Sequence, residues 1–407
     1  MNTDFDFSGL IARLYKKISA EEVDAASTTK DADIIPFSGA RSVSAASMNP
    51  NFDFNGRLAR LNDKISAEEV DAVLITKDAN VTYFSGFLGD SAALFVGDNF
   101  RKLVTDGRYT EQAKRQSKNF QIVEHTDGLY KKIVEEIKSS GAKKIGVEAT
   151  VMTVAQHDYL AREIVGVEFK SLEFDTLRQV KDASEIEMIR KACEIADNAF
   201  TKILEVIKPG VREIEVAAEL EYFMRKLGSE RAAFDTIVAS GIRGSLPHGI
   251  ATEKKICAGE LVTMDFGATF GGYCSDMTRT VAVGKISLEQ KKIYDAVYDA
   301  QLYGLELISA GKSCKEIDTA VRDRLRDADY GEFFVHSLGH GVGLEIHEEP
   351  RLSSLSTCEH LLPNMIVTDE PGVYIKNFGG VRIEDTVLVK DGVSEALTCS
   401  PKTLIEL

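Results

Sequence analysis

The sequence has no C-x-x-C pair, and its six cysteines are scattered along the chain. A disulfide framework and a cysteine-based zinc site are therefore not expected, which leaves free thiols in a reducing cytosol. The chain also lacks any uninterrupted apolar run of about 18 residues, so we expect no membrane span. Its first residues, MNTDFDF, are acidic and contain no apolar run, so we expect a cytoplasmic protein without a secretory signal.

Positive charge is the minority charge, with 49 Lys and Arg against 64 Asp and Glu and a formal net charge of −15. This balance argues against nucleic acid as a partner, because binding to phosphate backbones needs clustered Lys and Arg. The hydrophobic content of 44% and the charged content of 28% are ordinary for globular proteins. The 407 residues are enough for two or three domains.

The N-terminus contains a duplication. Residues 1–47 align with residues 48–94 without a gap, and 28 of the 47 positions are identical. The first copy has Ala26-Ser27-Thr28 where the second has the apolar trio Val73-Leu74-Ile75, so it has lost a predicted buried strand. We interpret residues 1–47 as a dispensable extension; the alternative is that this copy supplies an interface helix.

Two domains are predicted after this extension. Residues 48–174 alternate short β-rich runs, among them Val81–Ser85, with helical patterns, which is typical of an α/β domain. Residues 175–407 form the second domain. It opens with a helix that we expect Ser184 and Glu187 to cap, and it mixes helix pairs with strands near 261–266, 276–283, 365–369 and 383–389.

Two aspartates of the second domain are predicted to face each other. If the chain from Phe266 to Cys274 turns between Phe270 and Gly271, Asp265 falls opposite Asp276. Two carboxylates that close repel each other unless a proton or cations lie between them. The pair therefore predicts a cation site, which a lone aspartate in a turn would not.

Further acidic and imidazole side chains occur in segments that are rich in glycine or that are predicted to border strands. These are His248, then His336, His340 and His347 within twelve residues, then Glu370 in DEPG and Glu384 in GGVRIEDT. Carboxylates with one imidazole suit Mn²⁺, Co²⁺, Zn²⁺ or Fe²⁺, and no thiolate belongs to the set. Two such cations would activate a water molecule and polarise a carbonyl group, which is hydrolytic chemistry.

These segments resemble the pita-bread dinuclear metallopeptidases, in particular the Xaa-Pro aminopeptidase (aminopeptidase P) and prolidase family. The motifs are DFG…SDMTRT, HxxGHGxGxxxHE, DEPGxY and GGVRIED, with spacings of 11, 64, 30 and 14 residues between the five candidate ligands. The resemblance runs from about Met48 to the C-terminus. It implies a creatinase-like N-terminal α/β domain followed by a pita-bread catalytic domain, which is an α/β plus α+β fold.

The resemblance also implies roles for individual residues. Asp265 would bind one metal ion, His340 and Glu370 the other, and Asp276 and Glu384 would bridge the two. Glu370 would also carry the proton of the reaction, while His248 and His347 would stabilise the tetrahedral intermediate and the substrate carbonyl. His336 and Arg382 would contact substrate or support the ligands; the alternatives are a structural hydrogen bond from His336 to a carboxylate and an ion pair of Arg382 with a ligand carboxylate.

By the same resemblance, the chain is expected to be a homodimeric Xaa-Pro aminopeptidase that uses two divalent ions, with manganese expected first. Its substrates would be short peptides with proline in second position. The alternatives are Xaa-Pro dipeptidase (prolidase), which accepts only dipeptides, and a metal-free binding module of the same fold. Methionine aminopeptidase has related ligands but typically lacks a domain like residues 48–174.

Overall fold

A computed structural model describes residues 52–407 of the chain. Residues 1–47 lie outside the described residues, so the prediction that they have lost a strand stays a prediction. Within residues 52–407, no helix is both long and apolar enough to cross a membrane.

The N-terminal part is a six-stranded mixed sheet with helices packed around it. The strands are β1 Ala72–Ile75, β2 Ala92–Gly97, β3 Phe100–Asp106, β4 Gln121–His125, β5 Lys144–Val147 and β6 Glu168–Ser171. They occur in the order β4-β3-β2-β1-β5-β6. The pairs β1–β2 and β2–β3 are antiparallel, and the other three pairs are parallel. The helices are α1 Phe54–Ala67, α2 Asp78–Ser85, α3 Thr110–Gln116, α4 Leu129–Ser140 and α5 Val154–Glu163.

The strand predicted at Val81–Ser85 is wrong, because these residues form the second half of helix α2. All five are buried, and a short, wholly buried apolar run has the same appearance in a strand and in a core helix. The helix ends at Gly86, whose φ of 78° lies in the left-handed region that favours glycine. Gly86 was the local signal for a helix end.

The C-terminal part places two helix pairs against antiparallel sheets. The helices are α6 Ala183–Ile203, α7 Glu213–Lys226, α8 Leu288–Leu307 and α9 Cys314–Asp327. The strands are β7 Ile237–Ser240, β8 Glu260–Phe266, β9 Thr269–Phe270, β10 Tyr273–Cys274, β11 Met277–Val283, β12 Gly339–Gly341, β13 Glu348–Leu352, β14 Ile366–Asp369, β15 Gly372–Ile375, β16 Gly379–Arg382, β17 Asp385–Leu388 and β18 Glu395–Ala396. One sheet has the order β11-β8-β7, another has the order β13-β12-β14-β17-β18, and two strand pairs join β9 to β10 and β15 to β16.

The cap of helix α6 differs from the prediction at Ser184. Asp182 is the N-cap, and its carboxylate accepts hydrogen bonds from the backbone N–H groups of Ser184 and Glu185. The Glu185 carboxylate accepts in turn from the Asp182 N–H, at 3.0 Å. The capping box therefore begins two residues earlier, because aspartate satisfies the free N–H groups of a first turn as well as serine does.

The two parts share one apolar core, and a buried arginine joins them. The largest core cluster runs from residues of α1 and β1 to residues of β14 and β17. Arg57 of α1 is 1% exposed and donates to Asp182 at 2.7 Å, with Glu185 at 3.3 Å. The Glu185 carboxylate also accepts from the Tyr273 hydroxyl at 3.0 Å, so the first helix is connected to the β9–β10 hairpin.

Candidate metal and substrate site

One cavity of about 520 Å³ collects the residues that the sequence pointed to. Its lining includes all nine of them: His248, Asp265, Asp276, His336, His340, His347, Glu370, Arg382 and Glu384. They come from sheet edges and loops separated by up to 136 residues in sequence, between positions 248 and 384. The structure therefore brings together in space what the motifs present separately.

The predicted register of Asp265 and Asp276 is wrong. Strand β8 pairs with β11 so that Asp265 lies opposite Thr278, and β9 pairs with β10 around a turn at Gly271-Gly272. Asp276 lies between β10 and β11, at the level of Gly267, and is diagonal to Asp265 on the same face. The turn is centred one residue later than predicted because both Gly271 and Gly272 adopt positive φ values, 58° and 82°.

Three of the candidate ligands form a compact group. Donor atoms of Asp276, His340 and Glu384 all lie within 4.8 Å of one another. The His340 Nε2 atom lies 3.5 Å from Asp276 Oδ2 and 3.4 Å from Glu370 Oε1. The His340 Nδ1–H donates to the Gly341 carbonyl at 3.0 Å, which leaves the Nε2 lone pair directed at the carboxylates. Burial lowers the pKa of His340 to about 3, so the ring of this candidate ligand is neutral.

Three of the carboxylates have raised pKa values, as expected for acidic groups that are crowded together without a cation. Burial, followed by the charges of neighbouring carboxylates, raises the pKa of both Asp276 and Glu384 well above the ordinary value. Burial also raises the pKa of Glu370 to about 8. Asp265 Oδ1 is buried and has no hydrogen-bond partner within residues 52–407. Oxygen ligands, one neutral imidazole nitrogen and an unsatisfied carboxylate oxygen fit divalent cations.

A second row of side chains hydrogen-bonds to the candidate ligands. The Arg382 Nη2 atom donates to Asp265 Oδ2 at 2.6 Å, and its Nε donates to Thr278 Oγ1 at 2.9 Å. The Thr278 hydroxyl donates to Glu384 Oε2 at 2.7 Å. Arg382 therefore forms an ion pair with the candidate ligand Asp265, which was one of the two interpretations of this residue. Through Thr278 it is also connected to the candidate ligand Glu384.

Sequence reasoning missed Tyr374, which is buried beside this row. Its hydroxyl accepts from Arg382 Nη1 at 2.8 Å and donates to His336 Nε2 at 2.8 Å, while His336 Nδ1 donates to the Ser337 carbonyl at 2.9 Å. Among residues 52–407, His336 thus has no carboxylate partner, contrary to one of the two interpretations. Burial lowers the pKa of His336 to about 4. The signal for Tyr374 was its place in the DEPGxY motif.

Two further residues of the cavity stand apart from the ligands. His347 packs its ring against His340, with centroids 4.4 Å apart at 69°. Arg351, which the sequence reasoning also missed, lines the same cavity four residues later, and its side chain is 64% exposed. An exposed arginine usually lies on a solvated surface, so nothing local in the sequence distinguished this one.

The fold and the donor set define a candidate metal-binding site of the kind found in metallopeptidases. Residues 187–391 match the model of metallopeptidase family M24, and residues 57–180 match the creatinase/prolidase N-terminal domain. The chain belongs to metallopeptidase family M24, with the creatinase-type N-terminal domain that the sequence predicted.

Relatives and solved structures agree with this assignment. The chain is 42% identical to the Xaa-Pro dipeptidase of Pyrococcus furiosus over 78% of this chain and 90% of the relative. It is similar to the structure of the Xaa-Pro dipeptidase from Bacillus anthracis, with a TM-score of 0.84, 42% identity and coverage of 87% and 100%. It is also similar to the X-Pro aminopeptidase from Thermotoga maritima, with a TM-score of 0.80, 39% identity and coverage of 86% and 99%.

Proposed function

We propose that this chain is a metal-dependent Xaa-Pro peptidase that prefers dipeptides, cleaving the bond before a C-terminal proline. The observation that carries the dipeptide preference is Arg351, a free guanidinium face on the wall of the cavity that holds the candidate ligands. Its only ion pair within residues 52–407 is with Glu349, at 3.7 Å. In an Xaa-Pro dipeptide, the proline that follows the scissile bond carries the free C-terminal carboxylate. A planar guanidinium recognises a carboxylate through two parallel hydrogen bonds.

Asp265, Asp276, His340, Glu370 and Glu384 are the proposed ligands of two divalent ions. When bound, such ions supply a more acidic water molecule and a polarised carbonyl group. The positions of the donors support this ligand set, because each carboxylate lies against the cavity and His340 presents an unprotonated nitrogen to it. The native ion, expected to be manganese, stays a prediction.

The protein side chains would handle the proton and the substrate oxygen. Glu370 is proposed to accept the proton of the attacking water at Oε1 or Oε2 and to return it to the leaving proline nitrogen. The hydroxyl of Thr368 donates to Glu370 Oε1 at 3.2 Å, which holds the carboxylate in place for both transfers. His248 and His347 are proposed to contact the scissile carbonyl oxygen as it gains charge.

An Xaa-Pro aminopeptidase is the second candidate, and it is the one that the sequence motifs favoured. The similarity to the Thermotoga maritima X-Pro aminopeptidase supports it at 39% identity. In that case a longer peptide would extend past Arg351, whose side chain is exposed enough to move aside. A metal-free binding module of the same fold is the third candidate, and it would bind no transition metal.

We also propose the remaining features predicted from the sequence. The domains would comprise residues 48–174 and 175–407, with residues 1–47 dispensable. A homodimer, a cytoplasmic location and the lack of nucleic-acid partners stay predictions. Short peptides containing proline are the proposed substrate class.

The test compares a dipeptide Xaa-Pro with a tripeptide Xaa-Pro-Yaa on the metal-stripped protein with and without added Mn²⁺. We expect metal-dependent hydrolysis, with kcat/KM higher for the dipeptide. Arg351→Ala should raise KM for the dipeptide by about tenfold or more, the loss expected for a charge-assisted pair worth about 1.5–3 kcal/mol. KM for the tripeptide should stay unchanged.

A tripeptide cleaved as well as the dipeptide, with Arg351→Ala affecting neither, would make the chain an aminopeptidase. Arg190→Ala is the matched control, because Arg190 is also a partly exposed arginine, 41% exposed at its side chain, and pairs with Glu395 away from the cavity. A purified protein that binds no transition metal would contradict the whole proposal.

A further inference from the structure

The imidazole of His347 depends on its backbone for its position. Its side chain has no hydrogen bond to any residue from 52 to 407, and its ring contact is with the candidate ligand His340. The segment that carries it, Glu345–Glu348, turns back on itself, and the Glu345 N–H donates to Glu348 Oε1 at 3.2 Å. Whatever holds the carboxylates of Glu345 and Glu348 therefore fixes where His347 points.

Glu348 is held from the junction between the two parts of the chain. Its carboxylate is 3% exposed. It accepts from Arg178 Nε at 3.2 Å, and its other oxygen accepts from Lys181 Nζ at 3.1 Å. The two cations lower the pKa of Glu348 despite the opposing effect of burial, so the carboxylate is charged and fully paired.

Glu345 is held by the same arginine. Its Oε2 atom accepts from Arg178 Nη2 at 2.5 Å and lies 2.5 Å from Lys77 Nζ. The planar guanidinium of Arg178 therefore spans both ends of the segment that carries His347.

Arg178 is itself fixed on its far side. Its Nη1 donates to Asp175 Oδ1 at 3.1 Å and to the side-chain oxygen of Asn80 in helix α2. The Lys181 N–H donates to the Asn364 carbonyl at 2.9 Å, which attaches the same junction to the strand that precedes Glu370. The side chain of Arg178 is 2% exposed, so a replacement cannot be compensated by water.

We infer that Arg178 and Lys181 are positioning residues for His347, so that the junction between the N-terminal part and the catalytic part sets the geometry of the active site. The inference rests on the proposed function, in which His347 contacts the scissile carbonyl. Neither cation lines the cavity, so neither touches the substrate.

The test is a double-mutant cycle between Arg178→Lys and His347→Ala, measured with the Mn²⁺-loaded protein on the dipeptide. Lysine keeps the charge but cannot span both glutamates. We expect Arg178→Lys to lower kcat by about 10- to 100-fold, since a misplacement of about 1 Å has costs of that size. KM and metal content should stay unchanged. In the His347→Ala background the same change should have less than about a twofold effect, because the group that it positions is gone.

Arg57→Lys is the matched control. Arg57 is an equally buried arginine of the N-terminal part that pairs with two carboxylates, Asp182 and Glu185, but it does not contact the segment 345–348. We expect this variant to lose stability while keeping kcat. If Arg178→Lys does not fold, Lys181→Met carries the same cycle, since it removes one of the two cations on Glu348 and keeps most of the side-chain volume.

The outcomes separate the inference from the function on which it rests. Equal losses from Arg178→Lys in both backgrounds would overturn the inference, because the arginine would then act on overall structure. An active His347→Ala variant with unchanged kcat would overturn the proposed role of His347 and with it the inference. Loss of kcat in Arg57→Lys equal to that in Arg178→Lys would likewise contradict a specific effect.

Discussion

Gly267, the glycine of the DFG motif, is expected to tolerate no side chain. A Cβ atom on this residue would lie 1.9 Å from the Ser275 carbonyl oxygen, 3.0 Å from the Ser275 carbonyl carbon and 3.1 Å from Ala233 Cβ. Contacts below 3.0 Å are essentially never seen for real Cβ atoms, so Gly267→Ala must push the two chain segments apart by about 1 Å. The obstacle is backbone, which cannot rotate away as a side chain could.

The displacement would act on the two candidate ligands at once. Gly267 is two residues after Asp265, and Ser275 directly precedes Asp276. The segments are joined by the Ser275 N–H, which donates to the Ala268 carbonyl at 2.9 Å, and by the Ala268 N–H, which donates to Ser275 Oγ at 3.0 Å. We expect a loss of stability of about 1–3 kcal/mol from overpacking. Metal affinity should fall by about 10- to 100-fold, the size seen when support around a metal site is disturbed.

The assay is Mn²⁺ binding to the metal-stripped variant by calorimetry, together with urea denaturation. Gly107→Ala is the matched control, since its Cβ would meet Glu124 Oε1 at 3.6 Å, an ordinary contact, and its φ is not in the left-handed region. The control should bind metal like the parent protein. A Gly267→Ala variant that keeps full stability and full Mn²⁺ affinity would refute the reasoning, because the two carboxylates would then not depend on the close approach of these segments.

Three other perturbations have defined outcomes. Burial raises the pKa of Glu370 from 4.5 to about 8, so the metal-free folded protein retains a proton that the unfolded chain releases. The free energy of unfolding, measured by denaturation, should therefore fall as the pH rises through this range. Mn²⁺ binding should release protons, which calorimetry in buffers of different ionisation enthalpy would measure. Arg57→Met should lower the free energy of unfolding by about 3–5 kcal/mol, since it removes the cation that pairs with the buried Glu185 and the partly buried Asp182. Arg190→Met at an exposed ion pair should cost less than about 1 kcal/mol in the same denaturation assay. A chain that begins at Met48 should fold and keep its activity, and loss of either would show that residues 1–47 are needed.

The local sequence pattern predicted the secondary structure correctly where it fits only one kind of element. It failed where a helix and a strand share the same pattern. The strand predicted from Val73-Leu74-Ile75 forms as β1, and the helix pairs predicted for the second domain form as α6 with α7 and α8 with α9. Val81–Ser85 is buried at every position, and such a run fits a buried helix as well as a buried strand. The cap of helix α6 was predicted at Ser184, and only the structure shows that Asp182 is the N-cap.

The candidate ligands were readable from sequence because their chemistry is local. Asp265, Asp276, His340, Glu370 and Glu384 each stand in a short motif whose glycines and apolar neighbours place a polar group at the end of a strand. All five side chains line one cavity, as the resemblance of their motifs to those of one metallopeptidase family implied. Their register did not follow, since a shift of the β9–β10 turn by one residue moved Asp265 from Asp276 to Thr278.

The sequence by itself determined the family, the likeness to Xaa-Pro peptidases and the residue types of the site. Those depend on residue identity within short segments. Only the tertiary structure decided which distant groups support that site. Arg178 reaches Glu345 and Glu348 across 167 and 170 residues, and Tyr374, which accepts from Arg382, reaches His336 across 38 residues. Contacts of this kind leave no periodicity or spacing in the chain, because the packing of separate elements, and not the local backbone, brings the two partners together.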